Sequence, residues 1–202
     1  MTVVDDILVK RLGQVAYLPT LAAMRRFTGE RSDSTPDELW LLEHPPVYTL
    51  GQGAAPVQVA NGIAVVGADR GGEVTYHGPG QVVLYTLIDL ARRGIKVKAF
   101  VRLLEQAVVD LIAPQAVRRS GAPGVYVEGA KIAALGIRVT RGRAYHGLAL
   151  NVDMDLAPFA AIDPCGYPGL RVTQTRDIGF PGTPAQVGER LVESVIAHIE
   201  NA

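Results

Sequence analysis

Between residues 124 and 153 the chain carries three apolar, β-type runs separated by two very short polar breaks. The runs are 124–128, 131–139 and 144–153, and the breaks are Glu128-Gly129-Ala130 and Arg141-Gly142-Arg143. Breaks this short act as turns, so the runs are expected to pair as hairpin-linked strands. A fourth run, 81–90 (QVVLYTLIDL), is rich in β-branched and aromatic residues and predicts a strong strand. Shorter strands are expected at 38–43, at 46–50 beyond His44-Pro45-Pro46, and at Ile63–Val66. Apolar residues at helical spacing predict the clearest helix over 97–113. Two more helices are expected at 19–31 and 184–200, the last opened by Pro184, which suits a first helical turn. Helices near both ends and in the middle, with hairpin-linked strands between them, predict an α+β fold with mostly antiparallel sheets. At 202 residues, one domain over 1–202 is expected.

Hydrophobic residues make up 48% of the chain and charged residues 20%, enough for a substantial core and against disorder. Lys+Arg and Asp+Glu both number 20, so net charge does not point to nucleic acid. Locally the balance differs. Residues 91–143 hold eleven Lys/Arg against Glu105, Asp110 and Glu128. That surplus is either a basic face that steers an acidic partner or a set of charges balanced by acidic residues elsewhere in the fold. No apolar run approaches a membrane span. With no export signal at the N-terminus and one cysteine, a reducing cytoplasm is the expected compartment.

The single cysteine, Cys165, lies in Asp163-Pro164-Cys165-Gly166-Tyr167, followed by Pro168 and Gly169. A lone cysteine is commonly a buried apolar filler. Its Pro/Gly surroundings read instead as a loop, where a free thiol is a candidate nucleophile. A second dense segment is 70–81 (RGGEVTYHGPGQ), five of whose twelve residues are Gly or Pro. It is either an irregular hairpin or a ligand-lining loop, and it lacks the Gly-Lys-Ser/Thr ending of a phosphate-binding loop. Lys131 stands before an almost wholly apolar run, where a surface charge is the ordinary reading. A lysine drawn into an apolar site becomes a proton acceptor, and its ammonium favours a neighbouring thiolate. His146 beside Gly147 is more often structural than a ligand. The four histidines, at 44, 77, 146 and 198, show no metal-type spacing, so no metal is expected.

Taken together and in order, "LLEHPPVYTLG" (41–51), "RGGEVTYHGPGQ" (70–81), "GAPGVYVEGAKIAALGIRV" (121–139), "HGLALNVD" (146–153) and "PCGYPGLRVTQ" (164–174) closely resemble the lipoyl(octanoyl) transferases. Gln174 departs from the pattern, since many relatives carry a small hydroxyl residue there. The resemblance implies a fold like that of biotin and lipoate protein ligases. It implies transfer of an octanoyl group from octanoyl-acyl carrier protein to a specific lysine of lipoyl domains, the first step of endogenous lipoate biosynthesis. The acceptors would be the lipoyl domains of 2-oxoacid dehydrogenase complexes and the glycine-cleavage H protein, with no part for nucleic acid or membrane. Cys165 would be the acyl-thioester nucleophile, and Lys131 would lower its pKa and shuttle protons. The acyl group would be bound by Arg70, Gly71, Gly72, Glu73, Val74, Thr75, Tyr76 and His77, by Ala134, Leu135 and Gly136, and by Gly147, Leu148 and Ala149. A thioester donor is already activated, so neither ATP nor any other cofactor is expected.

Three other readings share some of these features. An ATP-dependent lipoate or biotin ligase would activate a free acid without a catalytic cysteine. A cysteine-dependent amidotransferase would use a different donor. A non-catalytic carrier-protein binder would need neither Cys165 nor Lys131.

Overall fold

Both short breaks form two-residue hairpin turns with left-handed backbone at each central position. Glu128 and Gly129 have φ of 48° and 85°, and Arg141 and Gly142 have 51° and 78°. That geometry matches the twist of the strands on either side. In the computed structural model, which describes residues 2–4, 7–57, 59–162 and 169–202, these turns link three strands of the principal sheet. They are β9 (Val125–Val127), β10 (Ala130–Thr140) and β11 (Arg143–Asn151).

The other strands are β1 (Thr2–Val4), β2 (Ile7–Gln14), β3 (Asp37–Glu43), β4 (Val47–Leu50), β5 (Val65–Gly67), β6 (Val74–His77), β7 (Gln81–Leu87) and β8 (Ala116–Arg118). The principal sheet runs β1-β2-β3-β7-β11-β10-β9-β8, and a smaller sheet runs β5-β4-β6. Pairing is antiparallel except for β2 with β3 and β4 with β5. The helices are α1 (Tyr17–Glu30), α2 (Val97–Ile112) and α3 (Pro184–Glu200). The expected α+β architecture with largely antiparallel sheets is present. Among the described residues no helix is long and apolar enough to cross a membrane.

Alternation at period two splits the principal sheet into two buried faces. Val82, Leu84, Leu148 and Leu150 face α2 and α3. Those helices return Phe100, Leu104, Val108 and Ile112, and Val187, Leu191, Val195 and Ile199, each at helical spacing. Burial of such side chains contributes about 1.5–3 kcal/mol each, which holds α2 in place although it lacks a side-chain N-cap. α3 has a full capping box, with Thr183 and Gln186 exchanging hydrogen bonds. On the other face, Trp40, Leu42, Val83, Tyr85 and Ala149 meet Tyr17, Leu21 and Met24 of α1. The smaller sheet packs Tyr48, Val74 and Tyr76 against Met154, Phe159 and Ile162.

At the end of the sheet where β7 stops and β11 begins, buried Asp37 accepts ion pairs from Arg31 (2.6 Å), Arg92 (2.8 Å) and Arg93 (2.6 Å). Burial pushes the Asp37 carboxyl up, but the Asp89 backbone N–H and the guanidinium groups of Arg31 and Arg93 outweigh it and hold the pKa below normal. Arg143 bonds Asp89 in the same cluster. Part of the basic surplus of 91–143 is therefore internal neutralisation rather than a free basic face.

Candidate active site

The smallest side chains of β10 and β11 coincide across the ladder, where Gly136 pairs with Gly147 and Ala134 with Ala149. All four share the face that also carries Val83 and Tyr85 of β7. They make a flat floor. Gly147 is needed there because a Cβ would come 2.1 Å from the Leu84 carbonyl oxygen. At Gly136 a Cβ would come 2.9 Å from the Gly71 carbonyl oxygen, so only glycine lets the 70–72 loop close over the floor. The Gly71 N–H seals that closure on the Ile137 carbonyl at 3.0 Å.

The space between loop and floor is a narrow cleft, open on one side. It is lined by Arg70, Gly72–Thr75 and His77 from above and by residues 134–136 and 147–149 from below. Gly71 borders it through the backbone contacts just described. Tyr76 does not line it. Its side chain points the opposite way from those of Thr75 and His77, against Tyr48 and Phe159. Tyr17, Val83, Tyr85 and His146 complete the wall and were not among the residues expected to bind. Period-two alternation along 81–90 could have found Val83 and Tyr85. Tyr17 reaches the cleft from a distant helix and leaves no local signal.

The polar groups around this apolar slot are mostly spoken for. Buried Arg70 donates to the Thr49 carbonyl (2.8 Å) and hydroxyl (2.7 Å) and to the carbonyls of Gly71 and Glu73, so it clamps its own loop. The His77 ring stacks on Tyr17, and its Nδ1 lies 2.7 Å from Gln81 Oε1. Burial above all, then repulsion from His44 when it is protonated and from Arg70, lowers the His77 pKa to about 3. His44 bridges the Val15 carbonyl and the Tyr85 hydroxyl, and burial lowers its pKa as well. His146 has φ of 62°, and its Nε2 meets Asp69 at 2.8 Å. Burial lowers the His146 pKa despite that carboxylate. All three rings are thus neutral near pH 7. Asp69 also accepts from Tyr145 (2.6 Å) and Arg25 (2.8 Å), and these bonds, with that from His146, carry its pKa far below normal against the opposing effect of burial. Tyr17 differs from the rest: its buried hydroxyl has no hydrogen-bond partner among the described residues, and burial pushes its pKa up to about 12.

Lys131 lies three residues before Ala134 on β10, roughly 10 Å along the strand. It is only 3% exposed, contrary to the surface position that a single lysine ordinarily takes. Its Nζ donates to the Pro123 carbonyl at 3.0 Å and sits 5.6 Å from the centre of the Tyr126 ring. Gly124 makes room for it, since a Cβ there would lie 2.5 Å from Lys131 Cε. The Gly124 N–H is anchored on buried Glu105 of α2 at 2.9 Å. Cys165, with Asp163, Pro164 and Gly166–Pro168, lies outside the described residues. Arg171, six positions after it in the chain, accepts the Lys131 N–H on its carbonyl at 2.8 Å. Gln174 is buried, and its side chain bonds the Met154 N–H and Asp177.

Residues 16–196 match the family described as the lipoyl protein ligase A/B catalytic domain. The chain is also 59% identical over 194 residues to an octanoyltransferase of Aromatoleum aromaticum, covering 94% of this chain and 84% of that one. The chain belongs to the octanoyltransferase family. An octanoyltransferase is an acyltransferase, and a largely apolar cleft is compatible with that class. Among solved structures, the fold is similar to lipoate-protein ligase A bound with ATP, at TM-score 0.75 and 17% identity, covering 96% of this chain and 86% of that one. It is also similar to the biotin protein ligase of Aquifex aeolicus, at TM-score 0.61 and 10% identity, covering 98% and 72%. At these identities the likeness is one of fold, and it bears out the fold expected from the sequence motifs.

Proposed function

We propose that this chain, acting as one catalytic unit over 1–202, moves an octanoyl group from octanoyl-acyl carrier protein to a lysine of lipoyl domains, through a thioester on Cys165. The acceptors would be lipoyl domains of 2-oxoacid dehydrogenase complexes and the glycine-cleavage H protein, and the work would be done in the cytoplasm. The observation that carries the reading is strand β10 itself. It bears a buried lysine at its start and, three residues on, the small-residue floor of an apolar cleft. An eight-carbon chain laid on that floor gains about 0.8 kcal/mol per buried methylene.

In this reading the Cys165 thiolate attacks the donor's thioester carbonyl, and the carbon–sulfur bond to the carrier breaks. The Lys131 ammonium gives its proton to the departing thiolate, leaving a neutral amine beside the new acyl-enzyme. The acceptor lysine's amine then attacks the Cys165 thioester. Lys131 takes the proton released as the amide forms, and the Cys165 thiolate leaves, restoring the starting ion pair. Splitting the transfer this way needs no ATP, because the acyl group arrives activated and stays activated.

The decisive experiment is incubation with octanoyl-acyl carrier protein, without ATP or metal, followed by intact mass. A hydroxylamine-labile gain of one octanoyl group at Cys165 is expected. No adduct from this donor, with transfer from free octanoate once ATP is added, would sink the proposal in favour of a ligase.

A further inference from the structure

The ladder between β10 and β11 ends at Ala133 and Leu150. Continued by one step and then another, it would set Ile132 opposite Asn151 and Lys131 opposite Val152. Instead the two strands part, and residues 171–176 fill the opening. On one side Lys131 N–H meets the Arg171 carbonyl (2.8 Å), and Thr173 N–H meets the Lys131 carbonyl (2.9 Å). On the other side Thr175 N–H meets the Asn151 carbonyl (3.0 Å), and Arg176 N–H meets the Val152 carbonyl (3.1 Å).

This wedge leaves the Thr173 carbonyl in need of a donor. The N–H groups of Val152 and Asp153 are turned to Gly80. The Thr173 carbonyl therefore receives a side-chain N–H, that of Asn151 Nδ2 at 3.0 Å. Asn151 Oδ1 in turn accepts from Gln81 Nε2 (2.9 Å), and Gln81 Oε1 faces His77 Nδ1 (2.7 Å). A second bond from Gln81 Nε2 to the Tyr76 carbonyl fixes which way that amide points. Asn151, Gln81 and His77 are all buried, at 5%, 2% and 6% exposure. One oriented chain of neutral hydrogen bonds thus runs from the cleft wall, at His77, to Thr173, the residue whose N–H holds the Lys131 carbonyl.

We infer that Asn151, oriented by Gln81, is a positioning residue for the transfer: it holds the stretch that follows Cys165 in the chain against the backbone of Lys131. The inference rests on the Cys165–Lys131 reading above. Asn151 touches neither the cleft nor Lys131 Nζ in the hydrogen bonds described, so its effect belongs on the chemical steps and not on acyl binding.

The test is Asn151→Asp, which keeps the shape but turns a carboxylate oxygen toward the Thr173 carbonyl. Circular dichroism and active-site titration report the folded fraction. For the folded enzyme, kcat with octanoyl-acyl carrier protein is expected to fall about 10- to 100-fold, with KM changed less than about threefold, the scale of a catalytic group displaced by about 1 Å. The pH profile of Cys165 alkylation should also move in the direction that Lys131→Ala moves it. A purely structural role would lower the folded fraction and leave both readouts alone. Should Asn151→Asp not fold, Gln81→Met removes the same orientation from one bond further away, and the same split is expected. An unchanged kcat and alkylation profile in a folded variant would overturn the inference. If Lys131→Ala shifts the alkylation profile and neither variant does, only this inference fails. If Lys131→Ala also leaves it unmoved, the reading of the Cys165–Lys131 pair fails first.

Discussion

Lowering the pH from 7 to 5 should destabilise this protein through its buried histidines, well before its carboxylates protonate. The His77 pKa is about 3 in the folded protein, against about 6.5 for an exposed imidazole. Above pH 6.5 both states are neutral at this residue and stability is fully present. Below it the unfolded chain binds a proton that the native ring refuses, so stability falls by up to about 1.4 kcal/mol per pH unit. Integrated from pH 7 to 5, His77 alone accounts for a loss of about 2 kcal/mol, a large part of a typical stability of about 5–15 kcal/mol. His44 and His146 are shifted the same way and add to the loss. Asp37, Asp69 and Glu189 are held below their ordinary values. The stability they contribute is lost only as pH falls through about 4 and below, outside this window. The assay is urea unfolding at pH 7, 6 and 5 for the wild type and His77→Gln. The wild type should lose about 2 kcal/mol more than the variant across that range. Equal losses in the two proteins would refute the argument that His77 is neutral because it is buried.

Two other substitutions probe the polar groups at either end of the sheet. Asp37→Ala leaves Arg31 buried without its carboxylate, so urea unfolding should register a loss of about 3–5 kcal/mol. Turnover per folded molecule should hold, because the cluster lies at the opposite end of the sheet from Lys131. Tyr17→Phe removes a buried hydroxyl that has no partner among the described residues. Its stability should be unchanged or raised by about 1 kcal/mol, and a clear fall in melting temperature would mean that the hydroxyl does have a partner.

The sequence announced the elements whose periodicity is strong and whose punctuation is sharp. The β9–β10–β11 hairpins, β7, α2 and α3 were all legible because alternation, helical spacing and turn residues agreed. β2 was missed: only Ile7 and Val9 of its eight residues are buried, and Lys10, Arg11 and Gly13 blur the alternation. β6 hides inside the glycine-rich 70–81 segment, whose composition suggests a loop although Val74–His77 pair with β4. In the cleft, the two stretches of small residues were readable as motifs, yet their meeting across one ladder was not. Lys131 is also a case where residue type misleads, since a lone lysine is usually exposed and this one has a niche made by Gly124. The wedge at 171–176 left almost no trace in the sequence, because backbone groups make most of its bonds and any residue supplies those.

The floor of the cleft is made of main chain, with Gly136 and Gly147 pressed against the carbonyls of Gly71 and Leu84. That makes its evolvability lopsided. Side chains can be added to a surface of bare backbone, so a shorter slot is one substitution away wherever an alanine can grow into the cleft. There is almost nothing on Ala134, Gly136, Gly147 or Ala149 left to remove. From this floor, a roomier slot would require moving a strand. Any roomier slot would therefore have to come from the wall, where Tyr17, Val83 and Tyr85 still have side chains to lose.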